Sequence, residues 1–260
     1  MENAVKKENI FYFKGSPIVV GKKMSPLKGI IYGDNGIGKT SILSCAKNPL
    51  IIDMEGNCSH IKAPSVKISN ISDFHELINS LIDKDHEYKS LVVDSLDSLQ
   101  ILIADKMSKD YDAKELSYGK SNGIFSRKIK EIVDKFEMLQ EKKKMNILFT
   151  AHWKVKMANN PMVEAYDRYD LRINEEMRTG FCNWVQFILL ANKEVLFEDK
   201  KDMGFGKKKA KGIERRVLHT AGDPTYYGKN VFNFPKKMGM ETEQAGWDNI
   251  INNVKIFYNS

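Results

Sequence analysis

The feature that most constrains the fold is an eight-residue motif at Gly33–Thr40, which reads GDNGIGKT. It matches G-x-x-x-x-G-K-[ST], the P-loop, whose glycines let backbone N–H groups turn inward around phosphate oxygens. In this pattern Lys39 reaches the β- and γ-phosphates, and the hydroxyl of Thr40 binds Mg²⁺. An apolar segment precedes the motif and a helical pattern follows it, so ATP and Mg²⁺ are the expected ligands. The predicted nucleotide-binding residues are Gly33, Asp34, Asn35, Gly36, Ile37, Gly38, Lys39, Thr40 and Ser41.

Short apolar segments alternate with helical patterns through the first 150 residues. Strands are predicted at 28–32, 49–53, 90–94 and 146–151. Apolar residues recur at helical spacing between them, as in the stretch that begins at Ser72. A polar stretch at 105–123 is predicted to be a mobile loop. This alternation predicts an α/β fold with a mostly parallel sheet flanked by helices.

The last hundred residues follow a different pattern. Residues 153–181 are polar and predict a long loop with one helix near 173–178. Strands at 184–198, 215–220 and 231–234 predict an antiparallel β extension, and a C-terminal helix is expected at about 243–258. We expect one domain over residues 1–260, with its core at about 25–240.

Composition narrows the class of protein. The formal net charge of +7 favours a polyanionic partner, although a solvated lysine-rich surface explains it equally well. The three cysteines are scattered and lack C-x-x-C spacing, which favours a reducing cytoplasm over disulfides or zinc. No apolar run approaches the roughly 20 residues of a membrane span, so we expect a soluble, unexported protein with no membrane partner.

A second motif supplies the carboxylate that a P-loop needs beside its metal. Residues 91–94 read LVVD, an apolar strand that ends in aspartate, which is the Walker B pattern. Asp94 is therefore the predicted metal-side residue together with Thr40. The alternative is that Asp94 caps the helix that follows.

Hydrolysis also needs a group that orients or deprotonates the attacking water. Ser95, and not glutamate, follows the Walker B aspartate, so this group must come from elsewhere. Glu55 lies just after the second strand, at the edge of the sheet where ligands bind, and is the predicted catalytic base. Glu55 could instead be a surface residue in a turn. Asp97 is a weaker candidate for the base. His152, at the end of the fourth strand, is predicted to sense the γ-phosphate.

These residues resemble the RecA-like ATPase core. The sequence Asp53-Met54-Glu55 is similar to that family's Asp-x-Glu, whose glutamate is catalytic, and Asp94-Ser95 matches its Walker B ending. The resemblance implies that Lys229 matches a lysine that reaches the neighbouring subunit's ATP, whereas Val231 replaces a second such lysine. It also implies a homo-oligomer with ATP at subunit interfaces.

The short form of the core is similar to phage-encoded, AAA-type nucleotide-binding proteins, some of which act in single-strand annealing or recombination. The resemblance covers residues of about 25 to 240. It implies single-stranded DNA as a partner, and a single-strand-binding protein as a further one. For a phage-encoded chain, the cytoplasm in question is that of the bacterial host.

Two basic segments are candidates for DNA contact. In the RecA-like family a loop after the fourth strand binds single strands, and here that segment interleaves cations with Trp153, Tyr166 and Tyr169. A second candidate is the basic hairpin tip between the predicted strands at 184–198 and 215–220, which contains Lys207, Lys208 and Lys209. The alternative for the first segment is a solvated loop with incidental charges, and for the tip a solvated loop is equally plausible. The predicted DNA-binding residues are Lys154, Lys156, Arg168, Arg172, Arg178, Lys207, Lys208 and Lys209.

Three functions follow from these features. The first is a Mg²⁺-dependent ATPase stimulated by single-stranded DNA, acting in recombination, annealing or repair. The second is an ATP-gated loader or mediator that hydrolyses slowly and switches partners. The third, a P-loop small-molecule kinase, is disfavoured because no arginine-rich lid follows the third strand.

Overall fold

The computed structural model has one large sheet with the P-loop at the end of a central strand. It describes residues 12–13, 16–17, 22, 24–117, 119–159, 162–198 and 209–260. The strands are β1 (Tyr12–Phe13), β2 (Ser16–Pro17), β3 (Lys28–Gly33), β4 (Pro49–Asp53), β5 (Ser65–Lys67), β6 (Ser90–Asp94), β7 (Asn146–Ala158), β8 (Tyr166–Leu171), β9 (Phe187–Glu198), β10 (Lys209–His219), β11 (Lys229–Asn230) and β12 (Lys237–Gly239).

Helices lie between most of these strands. They are α1 (Lys39–Leu43), α2 (Ile71–Asp83), α3 (Leu96–Asp110), α4 (Lys120–Lys143), α5 (Glu175–Met177) and α6 (Glu243–Asn259), with a 3₁₀ turn at Cys58–His60 and a π-helical turn at Arg178–Cys182. Asn70, Ser95 and Thr242 cap α2, α3 and α6 with side-chain oxygens, which accept backbone N–H groups of the first turn. In the described part of the chain, no helix is both long and apolar enough to cross a membrane.

The sheet has the order β12-β10-β9-β3-β7-β6-β4-β5. The six strands from β9 to β5 run parallel, while β10 and β12 continue the sheet in antiparallel sense. The carboxyl ends of β3, β4, β6 and β7 therefore meet at one edge, where ligands bind in such sheets. The predicted RecA-like core, with a mostly parallel sheet and an antiparallel extension, is confirmed.

Helices cover both faces of the sheet. Along β3, Ile30 and Tyr32 face a core that includes Phe74 and Phe136, from α2 and α4. Ile31, between them, faces the opposite core, which contains residues of α1 and α6. Successive strand residues thus enter different cores, which explains why these strands are apolar without alternation.

The prediction of a long loop at 153–181 is wrong for residues 153–158 and 166–171, which lie in strands. Strand β7 continues to Ala158, beyond the predicted end of the fourth strand, and pairs antiparallel with β8. The paired segments, residues 153–158 of β7 and 166–171 of β8, form what we call the arm. Its polar residues conceal a strand pattern, because Trp153, Val155 and Met157 alternate with lysines. The short helix predicted near 173–178 is confirmed by α5.

Two shorter predictions also fail. The mobile loop predicted at 105–123 is helical at both ends: α3 runs to Asp110, where Lys106 and Asp110 form an i,i+4 ion pair, and α4 begins at Lys120. The strand predicted at 231–234 is a turn, because the side chain of Asn230 accepts the backbone N–H groups of Phe232 and Phe234.

Candidate active site

The P-loop is shaped by close approach of neighbouring backbone. A Cβ at Gly33 would lie 2.4 Å from the carbonyl oxygen of Ala191 on β9, so this position excludes any larger residue. Gly38 has a φ of +102° at the start of α1, a conformation that favours glycine. These glycines bring the loop's backbone N–H groups to the N-terminus of α1, where anions bind.

Lys39 closes the P-loop from the inside. Its ammonium is buried and donates to the carbonyl oxygens of Gly33 at 3.2 Å and Asp34 at 2.9 Å. Burial lowers the pKa of this ammonium. The negative charges of Asp94 and Glu55 act in the opposite direction and raise it. Two of its three N–H donors are thus used within the loop, which holds the charge at the phosphate-binding position.

Thr40 and Asp94 lie together as the two motifs predict. The Thr40 hydroxyl donates to Asp94 Oδ2 at 3.0 Å, and the Thr150 hydroxyl donates to Asp94 Oδ1. The buried thiol of Cys58 lies 3.5 Å from Asp94 Oδ2. Burial raises the pKa of Asp94, although the hydrogen bond from Thr150 opposes this effect. The Asp94–Ser95 peptide bond is cis, and the capping of α3 belongs to Ser95.

The donors around Asp94 fit a magnesium ion. Mg²⁺ prefers oxygen ligands and binds through one or two carboxylates plus substrate phosphates. Thr40 and Asp94 supply a hydroxyl and a carboxylate in contact with each other beside the P-loop lysine. These two residues would hold the ion, as the sequence predicts.

Asp53 places Glu55 at the edge of the sheet. The buried Asp53 carboxylate accepts three backbone N–H groups, from Gly56 at 2.7 Å, Asn57 at 3.2 Å and Cys58 at 3.0 Å. Gly56 has a φ of +75° within this turn. The turn is therefore fixed at its base, and Glu55 projects from it next to the ends of β6 and β7.

The carboxylate of Glu55 is held by two hydroxyl groups. Ser95 Oγ donates to Glu55 Oε1 at 2.6 Å, and Ser98 Oγ donates at 3.3 Å. The Nδ1 atom of His152 lies 3.7 Å from the same oxygen. The Glu55 side chain is 22 % exposed, so solvent reaches it. This geometry suits a base that orients water.

His152 belongs to a network that the sequence did not reveal. Its Nδ1 lies 2.7 Å from Asp97 Oδ1, and Arg172 donates to the same oxygen through Nε at 3.0 Å and Nη2 at 2.8 Å. Because an ionised carboxylate only accepts, Nδ1 of His152 carries a proton in this arrangement.

Asp97 is a poor candidate for the catalytic base. Burial acts to raise its pKa, but hydrogen bonds from His152, Ser95 and Arg172 outweigh burial and hold the pKa of the carboxyl well below its usual range. A carboxylate that is this weakly basic and already accepts three donors is not suited to take a proton from water. The hydrogen bonds of Asp97 therefore favour Glu55 over Asp97 as the base.

A cleft of about 790 Å³ joins these groups. Its walls combine the P-loop, the turn after β4 and the ends of β6 and β7. The predicted site residues that line it are Asn35, Gly36, Gly38, Lys39, Thr40, Ser41, Glu55, Asp94 and His152. Arg172 lines it as well, although the sequence assigned this residue to DNA. Cys58 and Ser98 are also part of the wall, and nothing in their sequence context singled them out.

Two arginines predicted to bind DNA pair with a buried carboxylate of the same chain. Arg178 donates through Nη1 and Nη2 to the buried carboxylate of Asp170 at 2.6 and 2.9 Å, and Arg168 donates to it at 3.0 Å. The guanidinium groups of both arginines lie over the ring of Tyr227. These charges fasten the arm to the π-helical turn. DNA contact by these two arginines stays a prediction.

The remaining predicted DNA-binding lysines are placed differently. Lys154 donates to the carbonyl of Ile173 at 2.8 Å, and Lys156 is exposed with Glu175 at 3.5 Å. Lys207 and Lys208 lie outside the described residues, and Lys209 begins β10. DNA contact by these lysines stays a prediction.

Lys229 does not reach the P-loop of its own chain. It lies on β11 opposite Ile188, near the amino end of the parallel strands, and its ammonium donates to the carbonyls of Cys182 at 3.0 Å and Asn183 at 2.8 Å. These carbonyls end the π-helical turn, so the ammonium acts as a C-terminal cap. A contact with a neighbouring subunit's nucleotide stays a prediction.

The fold and the cleft define the class of this protein: it is a P-loop ATPase with a RecA-like core. The chain belongs to the AAA domain family, whose model matches residues 25–232. Among solved structures, the RadB recombinase is similar at 14 % identity and a TM-score of 0.45, with 85 % of this chain and 90 % of that chain covered. Comparison with curated proteins gives no match.

Proposed function

We propose that this protein is a Mg²⁺-dependent ATPase whose turnover is stimulated by single-stranded DNA, in recombination, annealing or repair. One observation carries the hydrolytic part: Glu55 is held by Ser95 and Ser98 in the same cleft as Lys39 and the Thr40–Asp94 pair. A site that only bound nucleotide would have no use for a carboxylate fixed beside the phosphate position.

The proposed reaction is attack of water on the γ-phosphorus of ATP. Glu55 accepts a proton from the attacking water, while Lys39 and the P-loop N–H groups stabilise the charge on the phosphate oxygens. Mg²⁺, when bound, would neutralise part of the phosphate charge. His152 lies 3.7 Å from Glu55 and directly precedes the arm, which makes it the proposed link between hydrolysis and DNA binding.

Hydrolysis is expected to require Mg²⁺ and to weaken as the pH falls. Release of phosphate from ATP should be strong with Mg²⁺ and absent with excess chelator, since Thr40 and Asp94 offer the ion its ligands. Because burial raises the pKa of Asp94, protons compete with the ion at higher pH than for an ordinary aspartate, and activity should fall as pH is lowered. Full turnover in chelator would contradict the proposal.

The arm supports the DNA-binding part of the proposal. Val155, Met157 and Tyr169 lie on one face of the hairpin and are 54 %, 60 % and 37 % exposed. Trp153 adds a ring in edge-to-face contact with Tyr169 at 4.9 Å between centroids. Exposed aromatic rings stack bases without sequence preference, and the net charge of +7 favours a polyanion. The second candidate function, a slow ATP-gated switch, shares this surface.

Assembly into a homo-oligomer with shared ATP sites is also part of the proposal, and rests on the sequence resemblance around Lys229. Mixing Lys39→Ala with Lys229→Ala protein should restore ATP hydrolysis if Lys229 acts across the interface, since each variant keeps the group that the other lacks. If the mixture stays as inactive as its components, Lys229 serves only as the cap of the π-helical turn. Thermal melting of Lys229→Ala measures that capping role separately.

A further inference from the structure

Arg172 stands at the junction of the arm and the phosphate cleft. It directly follows β8, and its backbone N–H donates to the carbonyl of His152 at 2.8 Å. This bond holds Arg172 opposite His152, where the arm leaves the parallel sheet. The residue lines the same cleft as Lys39, Thr40 and Glu55.

The guanidinium of Arg172 is oriented by Asp97 and remains accessible. Asp97 Oδ1 accepts two of its five N–H donors, from Nε and Nη2. The Arg172 side chain is 57 % exposed, whereas Arg178, which neutralises the buried Asp170, is only 14 % exposed. Asp97 therefore anchors Arg172 at the cleft wall without enclosing it.

Among the described residues, Arg172 is one of two cationic side chains that a phosphate in the cleft can meet. The residues that line the cleft include one lysine, Lys39, and one arginine, Arg172. The carboxylates of Glu55 and Asp94 oppose their positive charges. A triphosphate carries more negative charge than one lysine balances. Arginine also matches phosphate oxygens with two parallel N–H groups, which gives charge and geometry together.

We propose that Arg172 is a second phosphate-binding residue of the cleft, which contacts the γ-phosphate of the nucleotide held by the P-loop of the same chain. This inference rests on the proposed ATPase function and adds to it. Charge on the γ-phosphoryl oxygens is stabilised by arginine as the bond to the leaving group breaks and the bond to water forms. Asp97 is a positioning residue that holds Arg172 for this contact.

The test compares Arg172→Gln and Arg172→Lys with Arg127→Gln, the same substitution at an exposed arginine of α4 outside the cleft. Two quantities are measured: single-turnover hydrolysis of ATP, and equilibrium affinity for ATP and for ADP. Arg172→Gln should slow hydrolysis by about 10²- to 10³-fold and weaken ATP binding while ADP binding is kept, because ADP lacks the γ-phosphate. Arg172→Lys should restore part of both effects, since it keeps the charge.

Equal loss of ATP and ADP affinity in Arg172→Gln would overturn the proposal and assign Arg172 a structural role. Wild-type hydrolysis and wild-type ATP affinity in that variant would overturn it too. Failure of the ATPase proposal gives a different result: the wild type itself would not hydrolyse ATP. The ratio of ATP to ADP affinity still tests the γ-phosphate contact in that case. Thermal melting confirms that each variant is folded.

Discussion

Glu55→Gln is expected to abolish ATP turnover while ATP binding is retained. The substitution keeps the size of the side chain and its contacts with Ser95 and Ser98, but an amide cannot accept the proton of the attacking water. Loss of a general base lowers rates by about 10²- to 10⁴-fold. Hydrolysis measured in a single turnover, together with the affinity for a fluorescent ATP analogue, separates the two effects.

Two further variants make this result specific. Glu87→Gln changes an exposed glutamate outside the cleft and should turn over ATP like the wild type. Lys39→Ala removes the P-loop ammonium and should lose binding as well as turnover. Hydrolysis within a few-fold of wild type in Glu55→Gln would exclude Glu55 as the base.

Asp170→Asn is expected to cause the largest loss of stability. The Asp170 side chain is only 1 % exposed and accepts from Arg168 and Arg178, so the amide would leave two largely buried guanidinium groups without their counter-charge. Breaking a buried ion pair on one side costs about 3 to 5 kcal/mol, and the partial exposure of the arginines favours the lower end. For a chain of this size, about 3 kcal/mol lowers the melting temperature by roughly 6 to 12 °C.

Asp167→Asn is the matched control for this prediction, because Asp167 lies on the same strand and is exposed. Its melting temperature should stay close to that of the wild type. A shift of similar size in both variants would show that the arm tolerates no change of charge at all. An unchanged melting temperature in Asp170→Asn would mean that the ion triad does not fasten the arm.

The parallel core was predictable because its signals are local. The P-loop, the strand that ends in Asp94 and the turn after Asp53 each carry their chemistry within a few neighbouring residues. Parallel strands that are buried on both faces read as apolar runs, and their carboxyl ends must meet at one edge. The contact between Thr40 and Asp94 follows from these facts alone.

The arm and its charges were not predictable in the same way. Arg168, Arg172 and Arg178 look alike in the sequence, yet Asp170 takes two of them and Asp97 takes the third. Asp170 lies two and eight residues from its arginines, but the sequence does not show which of the three arginines it takes. The pairing of β7 with β8 and the position of α3 decide this. Asp97 and Arg172 lie 75 residues apart, so no local pattern joins them.

Lys229 shows that a match to a motif does not determine which groups a side chain contacts. Its sequence context resembles a lysine that reaches a neighbouring ATP, but in this fold the ammonium binds two carbonyls of its own chain. A motif fixes residue type and approximate position. The acceptor that a long, flexible side chain reaches is decided by packing.

Steady-state ATP hydrolysis with and without single-stranded DNA tests the proposed function most directly. At low salt and with Mg²⁺, a thymidine homopolymer should raise the turnover of the wild type, and duplex DNA should raise it less. Tyr169→Ala should weaken the DNA response about tenfold, because one stacking ring is lost. Turnover that is the same with and without single-stranded DNA would contradict the proposal and favour the slow ATP-gated switch.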